Sequence, residues 1–210
     1  ATALHGWWRS PRKLLAAALL QATWTKCARA WCLAHKVQTR PMTNGACEVL
    51  WAAERLLLLP ERAIAWPAAG VLFVADLHLG KAATFRALGQ PVPGGTTAQN
   101  LARLDALLAG HAVRHLVLLG DFLHAAQART PALLSALGEW RERHSALQCT
   151  LVRGNHDSRA GDPPPGLHVD VVTEPWLIGP FACCHHPQLH PTHFVLAGHL
   201  HPVCSLHGSG

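Results

Sequence analysis

Carboxylate, amide and imidazole side chains recur along this chain at the ends of short apolar runs. They form five motifs, in chain order: Asp76-Leu77-His78, Gly120-Asp121, Gly154-Asn155-His156-Asp157, Cys184-His185-His186 and Gly198-His199-Leu200-His201. Hard oxygen ligands and borderline nitrogen ligands of these kinds suit divalent metal ions. Where such ligands converge from several strand ends they can hold two ions, and paired ions support phosphoester cleavage. The motifs therefore predict a dinuclear metal site with that chemistry.

The spacing within the motifs bears on how the side chains are presented. In Asp76-Leu77-His78 and in His199-Leu200-His201, the polar side chains are two positions apart, which is also the period of a strand. If the backbone stays extended there, both side chains of a pair lie on one side of the chain and can hold one ion between them as a clamp. A glycine directly precedes three proposed ligands, where it lets the chain turn tightly and approach an ion: Gly120, Gly154 and Gly198.

Short apolar runs and two amphipathic segments must position these motifs. The runs predict strands at about 49–52, 56–59, 63–66, 71–75, 115–119, 149–153, 168–172, 181–184 and 194–197. Helices are predicted from Thr96 or Thr97 to Ala109, and from the Thr130-Pro131 cap to about Arg143. Strands alternate with helices at first and then follow one another directly. This order predicts one α/β domain with a mixed sheet.

Charge divides the chain into two parts. Residues 1–41 contain seven Lys and Arg and no Asp or Glu, with four of the eight Trp. Residues 42–210 contain the other eleven Lys and Arg against all twelve Asp and Glu, a net charge of −1. We expect 1–41 to be a basic, Trp-rich extension, disordered or artefactual, and 42–210 to form the domain, with Met42 as the natural start. Because the basic surplus lies in the extension, direct binding of duplex DNA is not indicated.

The cysteines indicate a reducing environment. The seven cysteines form no CxxC pair and no even disulfide framework. Cys149, Cys183 and Cys184 lie in apolar runs, where a free thiol behaves as a small hydrophobe. No apolar stretch approaches the roughly 20 residues that span a bilayer. We therefore expect a cytoplasmic protein without a membrane segment.

The ordered set of motifs resembles that of the calcineurin-like metallophosphoesterase superfamily. Further stretches are similar to one subfamily, the DNA ligase-associated metallophosphoesterases: 57–63, 74–81, Phe85-Arg86, Pro91-x-Pro93 and 118–124. The likeness runs from about residue 46 to residue 204. It implies a mixed-sheet sandwich with α/β/β/α layers. The family continues with further strands, whereas this chain stops nine residues after His201, so we expect the fold to be C-terminally incomplete.

The resemblance also implies a set of metal ligands. Asp76, His78 and His201 would hold one ion, Asn155, His185 and His199 would hold the other, and Asp121 would bridge both. A hydroxide between the ions would be the nucleophile. Two divalent ions are implied, with Mn²⁺ favoured and Fe, Zn or Ni compatible with these ligands.

Catalytic roles follow from the same resemblance. His156 would steady a phosphoryl oxygen or protonate the leaving group, and Asp157 would orient His156 by a hydrogen bond. Several choices stay open at this point. His186 is the alternative to His185, Lys81 and Arg86 are either phosphate-binding or solvated, and His124 either lines the site or contacts substrate.

The sequence thus predicts an enzyme, a metal-dependent phosphodiesterase or phosphomonoesterase. The resemblance implies a role in bacterial DNA repair, in association with an ATP-dependent DNA ligase, a helicase and an exonuclease-like protein. Two alternatives remain. One is a nuclease acting on DNA ends, which the near-neutral domain makes less favoured than small or terminal phosphoesters. The other is a non-catalytic metal-binding module inactivated by C-terminal truncation.

Overall fold

The computed structural model describes residues 14–16, 38–87, 89–90 and 95–200. Its strands are β1 (Leu14–Ala16), β2 (Thr39–Pro41), β3 (Cys47–Trp51), β4 (Glu54–Leu59), β5 (Ala63–Trp66), β6 (Val71–Val74), β7 (His115–Leu118), β8 (Gln148–Val152), β9 (Asp170–Val172), β10 (Trp176–Ile178), β11 (Phe181–Cys184) and β12 (Phe194–Ala197). Its α-helices are α1 (Lys81–Ala87), α2 (Thr96–Gly110), α3 (Pro131–Arg143) and α4 (Asn155–Ala160). The predicted cap of α3 is confirmed, since the Thr130 hydroxyl accepts the N–H of Leu133.

The strands form two sheets. The larger has eight strands in the order β2-β3-β4-β5-β6-β7-β8-β9, antiparallel from β2 to β6 and parallel from β6 to β9. The smaller has four strands in the order β1-β12-β11-β10, in which β11 and β12 run parallel. The predicted mixed sheet in an α/β fold is confirmed.

Apolar side chains from the two sheets meet face to face. Phe181 of β11 packs edge-on against Trp66 of β5 and Phe73 of β6, with ring centroids 5.1 and 6.2 Å apart. These three rings belong to the buried cluster between the sheets. Aromatic side chains bury a large apolar area, and burial of apolar area is the main force that holds such layers together.

The opposite face of the larger sheet is covered by helices. Leu101, Leu104 and Leu107 of α2 and Leu137 and Trp140 of α3 pack there in a second buried cluster. This gives the helix–sheet–sheet order of the predicted sandwich. The second helical layer of that prediction is not seen among the described residues. The Trp140 indole N–H donates to Asp105, 2.7 Å away, which ties α3 to α2.

Several features were not predicted from the sequence. The sequence analysis did not predict the strands β1, β2 and β10 or the helices α1 and α4. The strand predicted at 168–172 is shorter in the structure, where only β9 forms. Both β1 and β2 fall within 1–41, and apart from Gln38 the rest of that extension lies outside the described residues, so its predicted disorder stays a prediction. In the described parts of the chain, no helix is long and apolar enough to span a bilayer.

Two glycines allow the loops after the parallel strands to approach each other. Gly120 has a φ of +83°, and a Cβ placed there would collide with the imidazole of His185. A Cβ on Gly154 would collide with the carboxylate of Asp121. Larger residues are therefore excluded at these positions, as the sequence predicted from the glycines that precede polar residues.

We expect Gly120→Ala to lower the free energy of unfolding by at least about 2 kcal/mol, because it adds a left-handed backbone penalty to a steric overlap. The matched control is Gly138→Ala in the interior of α3, where the added methyl meets no atom within 4 Å. That change should stabilise the protein by roughly 0.5–1 kcal/mol. Urea denaturation measures both values, and equal effects of the two substitutions would contradict the close approach.

Candidate metal centre

The five motifs come together where the carboxyl ends of β6, β7, β8, β11 and β12 meet. Asp76, Asp121, Asn155, His185 and His199 each follow one of these strands by one to three residues. Backbone hydrogen bonds join the loops after β6 and β7: the N–H of His78 donates to the carbonyl oxygen of Asp121 at 2.8 Å. In open α/β sheets, ligands bind at this edge.

The backbone at four of the predicted ligands is left-handed. The φ values are 53° at Asp76, 44° at His78, 53° at Asp121 and 66° at His199. The expectation that an extended backbone would present Asp76 and His78 as a clamp is therefore wrong. The two side chains come together through a tight turn instead. Non-glycine residues rarely adopt this conformation, and such strain concentrates at functional sites.

Asp121 lies between two groups of ligand atoms. Its Oδ2 is 3.6 Å from Nε2 of His78, and its Oδ1 is 3.4 Å from Nε2 of His185. The backbone N–H of His156 donates to Oδ1 at 2.9 Å and fixes the carboxylate. The residue is only 2% exposed. Each carboxylate oxygen thus faces a different histidine, which is the arrangement that a bridging ligand requires.

The first group consists of Asp76 and His78 with one oxygen of Asp121. Both Asp76 oxygens accept the N–H of His199, at 3.1 and 3.2 Å. Burial raises the pKa of Asp76 to about 7, against the effect of that hydrogen bond and with the added repulsion of Asp121 and Asp157. Burial lowers the pKa of His78 to about 4. A cation held between these groups would relieve the crowding of buried carboxylates and keep the imidazole neutral for ligation, so the donor set fits a metal ion.

The second group is centred on Nε2 of His185. Around this atom lie Oδ1 of Asn155 at 2.8 Å and Nδ1 of His199 at 3.1 Å. Metal–ligand bonds of about 2.0–2.2 Å bring adjacent ligand atoms to about 3 Å from each other. On the other side of the ring, Nδ1 lies 3.1 Å from the carbonyl oxygen of Leu119. Since a carbonyl only accepts, Nδ1 carries the proton and Nε2 presents a lone pair to the site.

His186 faces away from this point of convergence. Its Nδ1 lies 2.7 Å from Oε1 of Glu174, and the side chain is 47% exposed. A nitrogen of His186 nevertheless lies within 4.8 Å of ligand atoms of His185 and His199. The geometry therefore favours His185 as the ligand, with His186 at the rim.

Glu174 is a residue that the sequence analysis missed. Its Oε2 accepts the backbone N–H groups of His185 and His186 at 2.6 and 2.8 Å. Burial raises the pKa of Glu174, but the hydrogen bonds from the side chain and backbone of His186 and from the backbone of His185 outweigh it and lower the value. Nothing in the sequence signals this role, because Glu174 precedes β10 and is part of no motif.

The structure corrects the proposed link between Asp157 and His156. The Asp157 carboxylate accepts three backbone N–H groups instead, those of Phe122 at 2.9 Å, Leu123 at 3.1 Å and Gly154 at 3.0 Å. It thereby locks the loop after β7 to the loop after β8. Asp157 cannot orient the imidazole, because its acceptor capacity is directed at the backbone.

His156 is oriented by His124 instead. The Nδ1 of His156 lies 2.6 Å from the His124 carbonyl oxygen, so Nδ1 carries the proton. The two rings stack with centroids 5.0 Å apart. The Nε2 of His156 then faces the site, 4.0 Å from Oδ2 of Asp121. Nδ1 of His124 is buried without a hydrogen-bond partner, and its ring also lies 5.8 Å from that of Phe85.

The remaining predicted residues have different locations. Lys81 lines a cleft together with Asp76 and His78. Arg86 lines a separate groove between α2 and α3 and does not share that cleft. His201 lies outside the described residues, so its assignment as a ligand stays a prediction.

Comparisons with known proteins identify the family of this chain. The family model for calcineurin-like phosphoesterases matches residues 70–187, more than half of the chain. The crystal structure of the Pseudomonas putida nuclease MPE is similar, with a TM-score of 0.66 and 48% sequence identity, and the match covers 80% of this chain and 74% of that one. No match was found among curated proteins. The chain belongs to the calcineurin-like phosphoesterase family, whose members are metal-dependent hydrolases of phosphoric esters.

Proposed function

We propose that this protein is a nuclease that cleaves phosphodiester bonds with the help of two divalent metal ions. The observation that carries the proposal is the position of the Asp121 carboxylate, with one oxygen facing His78 and the other facing His185. The similar structure is described as a nuclease, which favours nucleic acid over the small phosphoesters preferred from charge alone. Manganese is the favoured ion, because oxygen and imidazole ligands without thiolate suit it.

The side chains of the site have two kinds of role, metal binding and positioning. Asp76 and His78 would hold one ion, Asn155, His185 and His199 the other, and Asp121 would touch both. When bound, such ions acidify a coordinated water and neutralise charge on phosphoryl oxygens. Asp157 keeps the loops after β7 and β8 in register, and Glu174 positions the backbone that carries His185.

His156 is the group proposed to act on the substrate. Its Nδ1 proton is committed to the His124 carbonyl oxygen, which fixes the ring and leaves Nε2 directed at the site. When the ring carries a proton on both nitrogens, Nε2 can donate a hydrogen bond to a phosphoryl oxygen, or its proton to the leaving oxygen. A purely structural metal site would have no need of an imidazole held in this way, which argues against the non-catalytic alternative.

The link to DNA repair, with an ATP-dependent DNA ligase, a helicase and an exonuclease-like protein, remains a proposal from the subfamily resemblance. The buried thiols of Cys149, Cys183 and Cys184 support a reducing, cytoplasmic setting.

We expect removal of metal by a chelator to abolish hydrolysis of bis(p-nitrophenyl) phosphate, and Mn²⁺ to restore it. In the restored protein, His156→Ala should lower kcat by about 10²–10⁴-fold, because a proton donor is lost, without changing the metal content. His111→Ala at the end of α2 is the control and should keep full activity. Absence of turnover by the wild-type protein in Mn²⁺, Fe²⁺, Ni²⁺ and Zn²⁺ would contradict the enzyme assignment.

A second prediction concerns the support of the metal ligands. Glu174→Gln should weaken Mn²⁺ binding by about 10–100-fold, the usual cost of losing a partner that orients a ligand. Glu139→Gln on the exposed face of α3 removes the same charge far from any ligand and should leave the affinity unchanged. Calorimetric titration of the metal-free proteins measures both, and equal affinities in the two variants would refute the positioning role of Glu174.

A further inference from the structure

A cleft of about 410 Å³ opens beside Asp76 and His78, on the side of the metal centre where α1 and α2 lie. It adjoins the first group of ligands, and its wall includes three basic side chains and an aromatic ring: Arg62, Lys81, Arg103 and Phe85. The proposed catalytic roles use none of these four side chains.

The cleft carries an excess of positive charge. Among the described residues that line it, the only carboxylate is that of Asp76, which belongs to the metal centre. In the described parts of the chain, no carboxylate lies within 4.0 Å of Arg62, Lys81 or Arg103. By contrast, the described arginines that do form ion pairs lie on the surface: Arg55, Arg143 and Arg153. Cations grouped without counter-charges favour an anionic ligand.

Arg103 gives the strongest indication. The side chain is half-buried, and its Nε is buried without a hydrogen-bond partner. Burial lowers the pKa of Arg103, and the charge of the neighbouring Arg62 lowers it further. A buried guanidinium donor normally has an acceptor, because leaving it unsatisfied is unfavourable. Arg103 also lines the cleft, where an oxyanion would accept from its guanidinium group and offset the repulsion between the two arginines.

The rest of the wall suits a nucleotide. Thr96 and Thr97 bring the first turn of α2 to the cleft, and the free N–H groups of a helix N-terminus add positive potential. Asn100 ties this helix to the metal loop by donating to the Leu77 carbonyl oxygen at 3.1 Å. The partly exposed ring of Phe85 offers an aromatic surface, and proteins that bind single strands combine such rings with cationic grooves.

We propose that this cleft binds the non-scissile phosphate and base next to the bond that is cut in a single-stranded polynucleotide. Arg62 and Arg103 contact the phosphate, Lys81 contributes charge at the side of the metals, and Phe85 packs against the base. The proposal rests on the nuclease function proposed above and adds a substrate-positioning site to it. The volume matches one small ligand and not a duplex, which is why a single strand is specified.

Binding of a fluorescein-labelled single-stranded dT 12-mer to the metal-free protein tests the cleft without relying on catalysis. We expect Arg103→Gln to raise Kd about tenfold and to reduce the slope of log Kobs against log salt by about 0.7, the value for one lost phosphate contact. The double variant Arg62→Gln/Arg103→Gln should reduce the slope by about 1.4. The control is Arg55→Gln, an equal loss of charge at the other end of β4, which should change neither quantity.

Arg103→Lys keeps the charge but loses the planar guanidinium group. Its Kd and its salt slope should therefore lie between those of the wild type and those of Arg103→Gln. This variant and a comparison of Tm values separate loss of binding from loss of folding. Unchanged binding in both glutamine variants, or no binding by the wild-type protein, would overturn the proposal. Competition by thymidine monophosphate at the affinity of the 12-mer would also overturn it, because the cleft would then bind a terminal phosphate.

Kinetics distinguish failure of the cleft from failure of the proposed function. The ratio of kcat/KM for the 12-mer to kcat/KM for bis(p-nitrophenyl) phosphate should fall about tenfold in Arg103→Gln and stay constant in Arg55→Gln. A constant ratio in Arg103→Gln refutes the subsite while the nuclease function stands. Wild-type protein that hydrolyses neither substrate refutes the nuclease function. In that case the affinity for the 12-mer still tests whether the cleft binds a single strand.

Discussion

The structure depends on how it accommodates three neighbouring aspartates, of which Asp121 and Asp157 are buried and Asp76 is half-buried. Asp76, Asp121 and Asp157 lie close enough that their charges repel, and burial raises the pKa of Asp76 and of Asp157. Asp157 is satisfied by three backbone N–H groups. Asp76 and Asp121 accept the backbone N–H groups of His199 and His156 and otherwise face imidazoles. Buried carboxylates need a compensating charge, and divalent cations between them and the histidines would provide it.

The backbone around these aspartates is also unusual. Left-handed conformations at Asp76, His78, Asp121 and His199 cost of order 1–3 kcal/mol each, so the surrounding fold must impose them. The parallel strands on either side and the sandwich core supply that rigidity, while Gly120 and Gly154 leave room for the loops to meet. Ions that bind only the folded chain would add to its stability through linkage. Folding and metal binding would therefore be coupled at the same few loops.

Much of this could be predicted from the sequence. Apolar runs marked the central strands, and the polar residues that follow them marked the edge at which the site forms, because parallel strands end together. The choice of His185 over His186 agrees with the geometry, since the ring of His185 turns inward at the end of β11. Local patterns of this kind depend only on neighbouring residues, so a single sequence reveals them.

The rest depends on contacts between distant residues, which no local pattern reveals. Glu174 reaches His185 from a loop that carries no motif. Two of the three N–H groups that donate to Asp157, those of Phe122 and Leu123, lie more than thirty positions away, so a hydrogen bond to adjacent His156 was the natural but wrong expectation. Arg62 and Arg103 face one cleft from a turn and from a helix, and the near-neutral charge of 42–210 concealed this local excess. An average over a domain cannot detect a charge pattern that the fold creates.

The central claim is that two cations share the carboxylate of Asp121. Anomalous diffraction from crystals grown with Mn²⁺ tests it most directly. We expect two peaks about 3.5–4 Å apart, one beside Asp76 and His78 and the other beside Asn155, His185 and His199, with an oxygen of Asp121 in contact with each ion. A single peak, or two peaks that Asp121 does not connect, would contradict the account.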